Sequence, residues 1–164
     1  MNNVLKLTIV IGAGGCGAPE VEISPFEGPG YDAETGLISP QDEYLVGLTH
    51  LRVRNLPGPG KRFGEHADAV ATWLFENEPE GWVGASFRNV GKLDWWTMTV
   101  WESEEAQIAF IMSDVHADAM GALSDVARGA ESRSLWVPAA EVPPDWDVAL
   151  DWLADTQDYT FGEL

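Results

Sequence analysis

Trp95-Trp96-Thr97-Met98-Thr99-Val100-Trp101-Glu102-Ser103-Glu104-Glu105, continuing to His116 and Met120, is the stretch that decides the fold. Residues 95–101 are β-branched and aromatic, the types that suit a pleated, half-buried surface. Ser103 then caps a helix directly, and Glu104 and Glu105 complement the dipole of its first turn. Ala109, Met112, His116, Met120 and Leu123 predict one inward stripe along that helix. A strand passing without a linker into a helix places a titratable group beside dense aromatic surface.

Outward from this unit the pattern repeats. Glu43 to Asn55 predicts a first strand, broken by Leu56-Pro57-Gly58-Pro59-Gly60. Phe63, Ala67, Val70 and Leu74 fall at helical spacing, and Glu78-Pro79-Glu80-Gly81 ends that helix. Trp82 to Val90 and Trp95 to Trp101 form a hairpin across Gly91-Lys92-Leu93-Asp94. Ser132 to Val137 supplies a fourth strand, and Asp145 to Leu153 a short closing helix. The order is β-α-β-β-α-β, an α+β ferredoxin-like fold: a four-stranded antiparallel sheet with helices on one face. The other face is expected to be apolar and bare, so two copies should close into a dimeric α/β barrel.

Residues 1–42 read as a targeting and tether segment, 43–143 as the domain, and 144–164 as a short helix with an acidic tail. A basic Lys6, the apolar run Leu5 to Ile11 and Ala13-Gly14-Gly15-Cys16 predict a bacterial lipoprotein signal with lipidation at Cys16. That places the protein outside the cytoplasm on a lipid anchor. An ordinary N-terminal strand with a buried free cysteine is the alternative, and a cytoplasmic location follows from it. Gly12, Gly14 and Gly17 satisfy G-x-G-x-x-G, but Pro19, Pro25 and Pro29 prevent the helix a dinucleotide site requires.

Composition narrows the partners. Against 9 Lys and Arg stand 27 Asp and Glu, a formal net charge of −18 that repels nucleic acid. No apolar run reaches the roughly 18 residues of a membrane helix, which leaves the anchor as the only expected membrane contact. A single cysteine excludes an internal disulfide and a cysteine-built zinc site. No His, Asp and Glu cluster has metal-ligand spacing, so no metal is expected.

Trp96 to Ser103, Trp-Thr-x-Thr-x-Trp-Glu-Ser, followed by an acidic helix start and Ser113-Asp114-Val115-His116-Ala117-Asp118-Ala119-Met120, resembles the antibiotic-biosynthesis-monooxygenase-like superfamily of dimeric α/β barrels. Leu48 to Arg54 resembles its first strand, and Leu135-Trp136-Val137-Pro138-Ala139 with Val142-Pro143 its fourth strand and exit loop. The resemblance covers about Tyr44 to Pro143 and speaks to fold more than to activity. The haem-degrading branch uses an Asn, a Trp and a His. Their positions fall here near Thr49 or His50, on Phe110 and on Met120, so haem is not the expected cofactor.

His116 is the leading candidate for a catalytic base, with His50 second and Arg52 a holder of an anionic or phenolate oxygen. Trp96, Trp101, Phe110, Met112 and Met120, with Trp95, are expected to line a substrate pocket. His66, between Glu65 and Asp68, reads as solvated. Two function classes stay open. One is a cofactor-independent, monooxygenase-like oxidation of an aromatic or quinol-like substrate. The other is a non-catalytic ligand-binding or assembly module of the same fold, with haem carriage as a third reading.

Overall fold

The computed structural model describes residues 19–164; Cys16 and the glycine motif at 12–17 lie outside them. In chain order the elements are β1 (Val21–Ile23), β2 (Tyr31–Asp32), β3 (Gly36–Leu37), β4 (Glu43–Val53), α1 (Pro59–Asn77), β5 (Trp82–Val90), β6 (Asp94–Trp101), α2 (Glu104–Ile111), α3 (Asp114–Gly121), α4 (Leu123–Val126) and β7 (Ala127–Pro138). A 3-10 turn at Ala139–Glu141, α5 (Trp146–Asp155) and β8 (Tyr159–Gly162) complete the order.

The four expected strands pair antiparallel in the sequence β5-β6-β4-β7, the ferredoxin-like arrangement. The sheet is larger than expected, with six strands, because β1 joins β5 and β8 joins β7. Exposed sheet edges invite pairing with other chains, and here both are dressed by the chain's own ends. Residues 20–30 track the edge of β5 through backbone hydrogen bonds: Glu20 O from Gly91 N at 2.8 Å, Ser24 N to Phe87 O at 2.9 Å, Glu27 N to Ala85 O at 3.0 Å and Gly30 N to Val83 O at 3.0 Å. From Val21 onward the segment read as a tether is therefore part of the folded body.

That approach requires Gly28. A Cβ there would sit 2.2 Å from Gly84 Cα and 2.4 Å from Val83 O, both backbone atoms that cannot yield. Gly28→Ala should destabilise the protein by about 1–3 kcal/mol, read as a lower urea midpoint. An unchanged midpoint would mean that this strap is not docked in solution.

Helix punctuation follows local chemistry. Pro59 opens α1, and Glu78 closes it in the left-handed region at φ 42°, its N–H bonded to Leu74 O. Ser103 caps α2 as expected, its Oγ accepting from Ala106 N at 3.1 Å. The single helix expected to follow is three. Ser113 Oγ accepts from His116 N at 3.4 Å and so starts a new helix, α3. A serine that caps a fresh turn competes with continuation of the old one. The stripe is broken accordingly, and Met112, at the C-cap of α2, is 75% exposed.

The sheet is buried on both faces. On the first, α1 and α2–α4 pack over two clusters. One holds Leu45, Leu74, Trp82, Ala85, Trp101 and Phe110, the other Leu123, Val126, Ala127 and Ala130. The second face was expected to be bare. Instead Tyr44, Val46, Leu48, Met98 and Val100 are buried beneath Ala149 and Leu153 of α5, with Trp146, Phe26, Tyr31 and Leu37 packed alongside. The sequence argument for a barrel dimer rested on an uncovered face, and that premise is removed. The described residues are one chain, which cover their own sheet.

Candidate functional site

A cavity of about 360 Å³ lies between the first face of the sheet and the helices, in the gap between the two clusters on that face. This size is within the usual range for small-molecule pockets. Phe63, Ala67, Val70 and Leu74 of α1 form one wall. Phe110, Ile111, His116, Ala119 and Met120 of α2 and α3 form the other. Trp95 and Leu51 close one end of the floor.

Strand alternation decides which candidates reach it. On β4 the odd positions, including Gly47, Thr49 and Leu51, line the cavity. His50 and Arg52 point the other way. His50 stacks on Trp96 with ring centroids 4.1 Å apart and planes 4° from parallel. Its Nδ1 is 3.2 Å from Glu131 Oε1 and its Nε2 3.2 Å from Asp94 Oδ1. Arg52 Nε lies 3.6 Å from the same Asp94 oxygen, and Arg88 Cζ stands 4.7 Å over the Trp96 ring. Both imidazole nitrogens are thus engaged by carboxylates on the far side of the sheet. This is a cross-strand cluster, and it sets His50 and Arg52, expected as catalytic, outside the cavity lining; Trp96 does line the cavity, although its ring stacks on His50.

The other expected lining residues divide. Phe110 and Met120 line the cavity. Trp101 is fully buried behind Phe110, with ring centroids 5.2 Å apart, and supports that wall without reaching the cavity. Met112 faces outward on the α2–α3 corner. His66, expected to be solvated, lines the cavity from α1.

His116 is where the sequence placed it in chemical terms. Its ring meets the edge of Phe110 at 4.8 Å, and its Nδ1 is 3.1 Å from Ile111 O. A carbonyl can only accept, so Nδ1 carries the proton and Nε2 keeps a lone pair in the neutral ring. Burial lowers the His116 pKa, against a smaller upward pull from the Ile111 carbonyl. The neutral, basic form is therefore favoured in the folded state. The unfolded chain takes up the proton at a higher pH, near 6.5, so the folded state is penalised as pH falls below about 6.5. Between pH 7 and pH 5 the wild type should lose more stability than His116→Gln, read by thermal unfolding in matched buffers. Equal losses would show that the imidazole is not desolvated.

Sequence reading missed the floor. Thr97, Thr49 and Ser132 lie in one line across β6, β4 and β7. Thr99, Gly47 and Ser134 form the next line. Gln107 of α2, 8% exposed, sits over Gly47, and Ser134 Oγ donates to its Oε1 at 3.1 Å. The signal was present in the Thr97 and Thr99 alternation, but the matching Ser132 and Ser134 are adjacent only after β7 pairs with β4. Among the described residues no group of His, Cys, Asp and Glu could hold a metal ion.

The fold, an antiparallel α+β sheet roofed by helices, is one already seen in solved structures. Three solved structures share the fold. An inferred monooxygenase from Lactobacillus acidophilus NCFM matches with a TM-score of 0.52 and 13% identity over 60% of this chain and 46% of its own. An inferred monooxygenase from Fusobacterium nucleatum matches at 0.50 and 13% identity over 77% of this chain and 52% of its own. A Pseudomonas aeruginosa protein matches at 0.50 and 8% identity over 60% of this chain and 98% of its own. The chain thus spans about half the length of the first two. No protein-family profile matches the chain, and no curated protein matches it.

Proposed function

We propose that the chain binds a small aromatic or quinol-like molecule between sheet and helices and oxidises it with dioxygen without a cofactor, His116 acting as base. One observation carries this reading. A desolvated imidazole, with Nδ1 tied to Ile111 O, lines an otherwise largely apolar cavity. The resemblance in fold to inferred monooxygenases supports it.

The reaction follows from those parts. With 1,5-dihydroxynaphthalene as probe, Nε2 takes a phenolic proton, and electron density rises at the para carbon. That carbon forms a C–O bond to dioxygen. The resulting peroxide takes up a proton and loses water as its C–H bond becomes a carbonyl. The product is 5-hydroxy-1,4-naphthoquinone, with one oxygen atom retained and the other in water.

The test is oxygen uptake and quinone absorbance with this probe, in chelator-treated buffer, for wild type and His116→Ala. Wild-type turnover above the uncatalysed rate, lost in the variant, supports the reading. Saturable binding without turnover in the wild type gives the second reading, a ligand-binding module. One feature favours that second reading: Thr49, Ser134 and Tyr159 line the cavity yet remain exposed, so its mouth is open to water.

A further inference from the structure

The floor of the cavity carries a chemistry that the base does not use. Its two lines of side chains come from the same three strands. Neighbouring strands are about 4.8 Å apart and alternate residues about 6.8 Å along a strand, so the polar grid spans roughly 10 by 7 Å. Of its hydroxyls, Thr99 is committed, taking the Trp101 N–H at 2.9 Å and facing Gly47 O at 3.5 Å. Those of Thr49, Thr97 and Ser132 have no protein partner among the described residues.

At the centre is Gln107. The residue is more than nine-tenths buried, and its carboxamide is oriented by Ser134 through Oε1. Its Nε2 has no hydrogen-bond partner among the described residues, and Gln107 is among the residues that line the cavity. Gly47 leaves room for it, since a Cβ at 47 would lie 2.5 Å from Nε2 and 3.0 Å from Thr99 Oγ1. A donor without a protein partner, on a residue this buried, is served by whatever fills the cavity, water or ligand.

The cavity offers no permanent positive charge to match an anion among its described lining residues. No Lys or Arg is among the described residues that line it, and the carboxylate of Glu131 is held by His50 on the other face. A formal charge of −18 adds a repelling field. Apolar walls and a neutral, hydrogen-bonding floor fit a particular molecule.

We infer that Gln107, seated over Gly47 between Thr99 and Ser134 and one line along the sheet from Thr97, Thr49 and Ser132, selects uncharged flat ligands by the oxygen atoms along one edge, and rejects carboxylates and phosphates of the same size. This rests on the reading that the cavity is the ligand site, and it assigns specificity to residues other than the base. Gln107 Nε2 donates to a ligand oxygen, and the hydroxyls serve the others.

The experiment is calorimetric titration of the full chain with naphthalene, 1,5-dihydroxynaphthalene and 1-naphthoate under anaerobic conditions. The diol should bind about ten-fold more tightly than naphthalene, consistent with one or two added hydrogen bonds, and naphthoate no more tightly than naphthalene. Gln107→Leu should erase the preference for the diol while leaving naphthalene affinity within about two-fold. Thr97→Val, which keeps shape and removes one hydroxyl, provides a milder variant if Gln107→Leu does not fold. If wild type prefers naphthoate, or Gln107→Leu and Thr97→Val both retain the full diol preference, the inference falls. Loss of turnover in His116→Ala would still stand, so the failure of this inference and that of the proposed oxidation are separable.

Discussion

His116→Ala should lower the turnover of 1,5-dihydroxynaphthalene by about 10²–10⁴-fold, the usual worth of a positioned general base. Binding of the probe should change little, because the methyl that remains keeps the wall apolar and the floor intact. The pH profile separates a base from a wall residue. Nε2 can accept a proton only when the ring is neutral, so the rate should rise with pH and level off. Burial lowers the pKa of His116, so that rise should be centred below about 6.5, the ordinary histidine value. The residual rate of the variant should lack this limb. A wild-type limb centred above pH 7, or a variant with an unchanged profile, would remove His116 from the chemistry.

A chain shortened to end at Pro144 should fail to fold as an isolated particle. It lacks α5, whose Ala149 and Leu153 are buried against Tyr44, Val46, Leu48, Met98 and Val100, and it lacks Trp146 and Trp152 beside them. Large-to-small changes at such sites cost about 2–5 kcal/mol for a leucine and about 3–5 for a tryptophan. Together these reach the about 5–15 kcal/mol by which whole domains are stable. The expected result is loss of the cooperative thermal transition, with association through the exposed apolar face seen by sedimentation. Leu153→Ala grades the effect: a cooperative but lowered transition. A shortened chain that remains a folded monomer with native near-ultraviolet dichroism would show that α5 does not cover the sheet.

These two outcomes divide along the line between local and non-local information. Strand alternation, the Ser103 cap, the Gly91 turn and the breakers after Asn55 and Asn77 are local signals, and each was legible. The split of the long helix was legible in principle, since Ser113-Asp114 is a capping pair, but a stripe of apolar spacing outweighed it. His116 was found because a histidine among apolar neighbours stands out. Gln107 did not, because a glutamine on a helix is ordinary until Ser134 and Gly47 lie beneath it.

Residue order alone determined the β-α-β-β-α-β succession, the acidity and the position of His116 among apolar neighbours, because caps, turns and periodicity act within a few residues. Tertiary structure decided which face each strand residue serves, sending His50 and Arg52 away from the cavity and lining its floor with hydroxyls. It also decided that β1 and β8 extend the sheet and that α5 covers its second face. The physical reason is pairing register: a one-residue step turns a side chain to the opposite face. Register between residues 81 apart in the chain, such as His50 against Glu131, is set by the closure of the whole sheet.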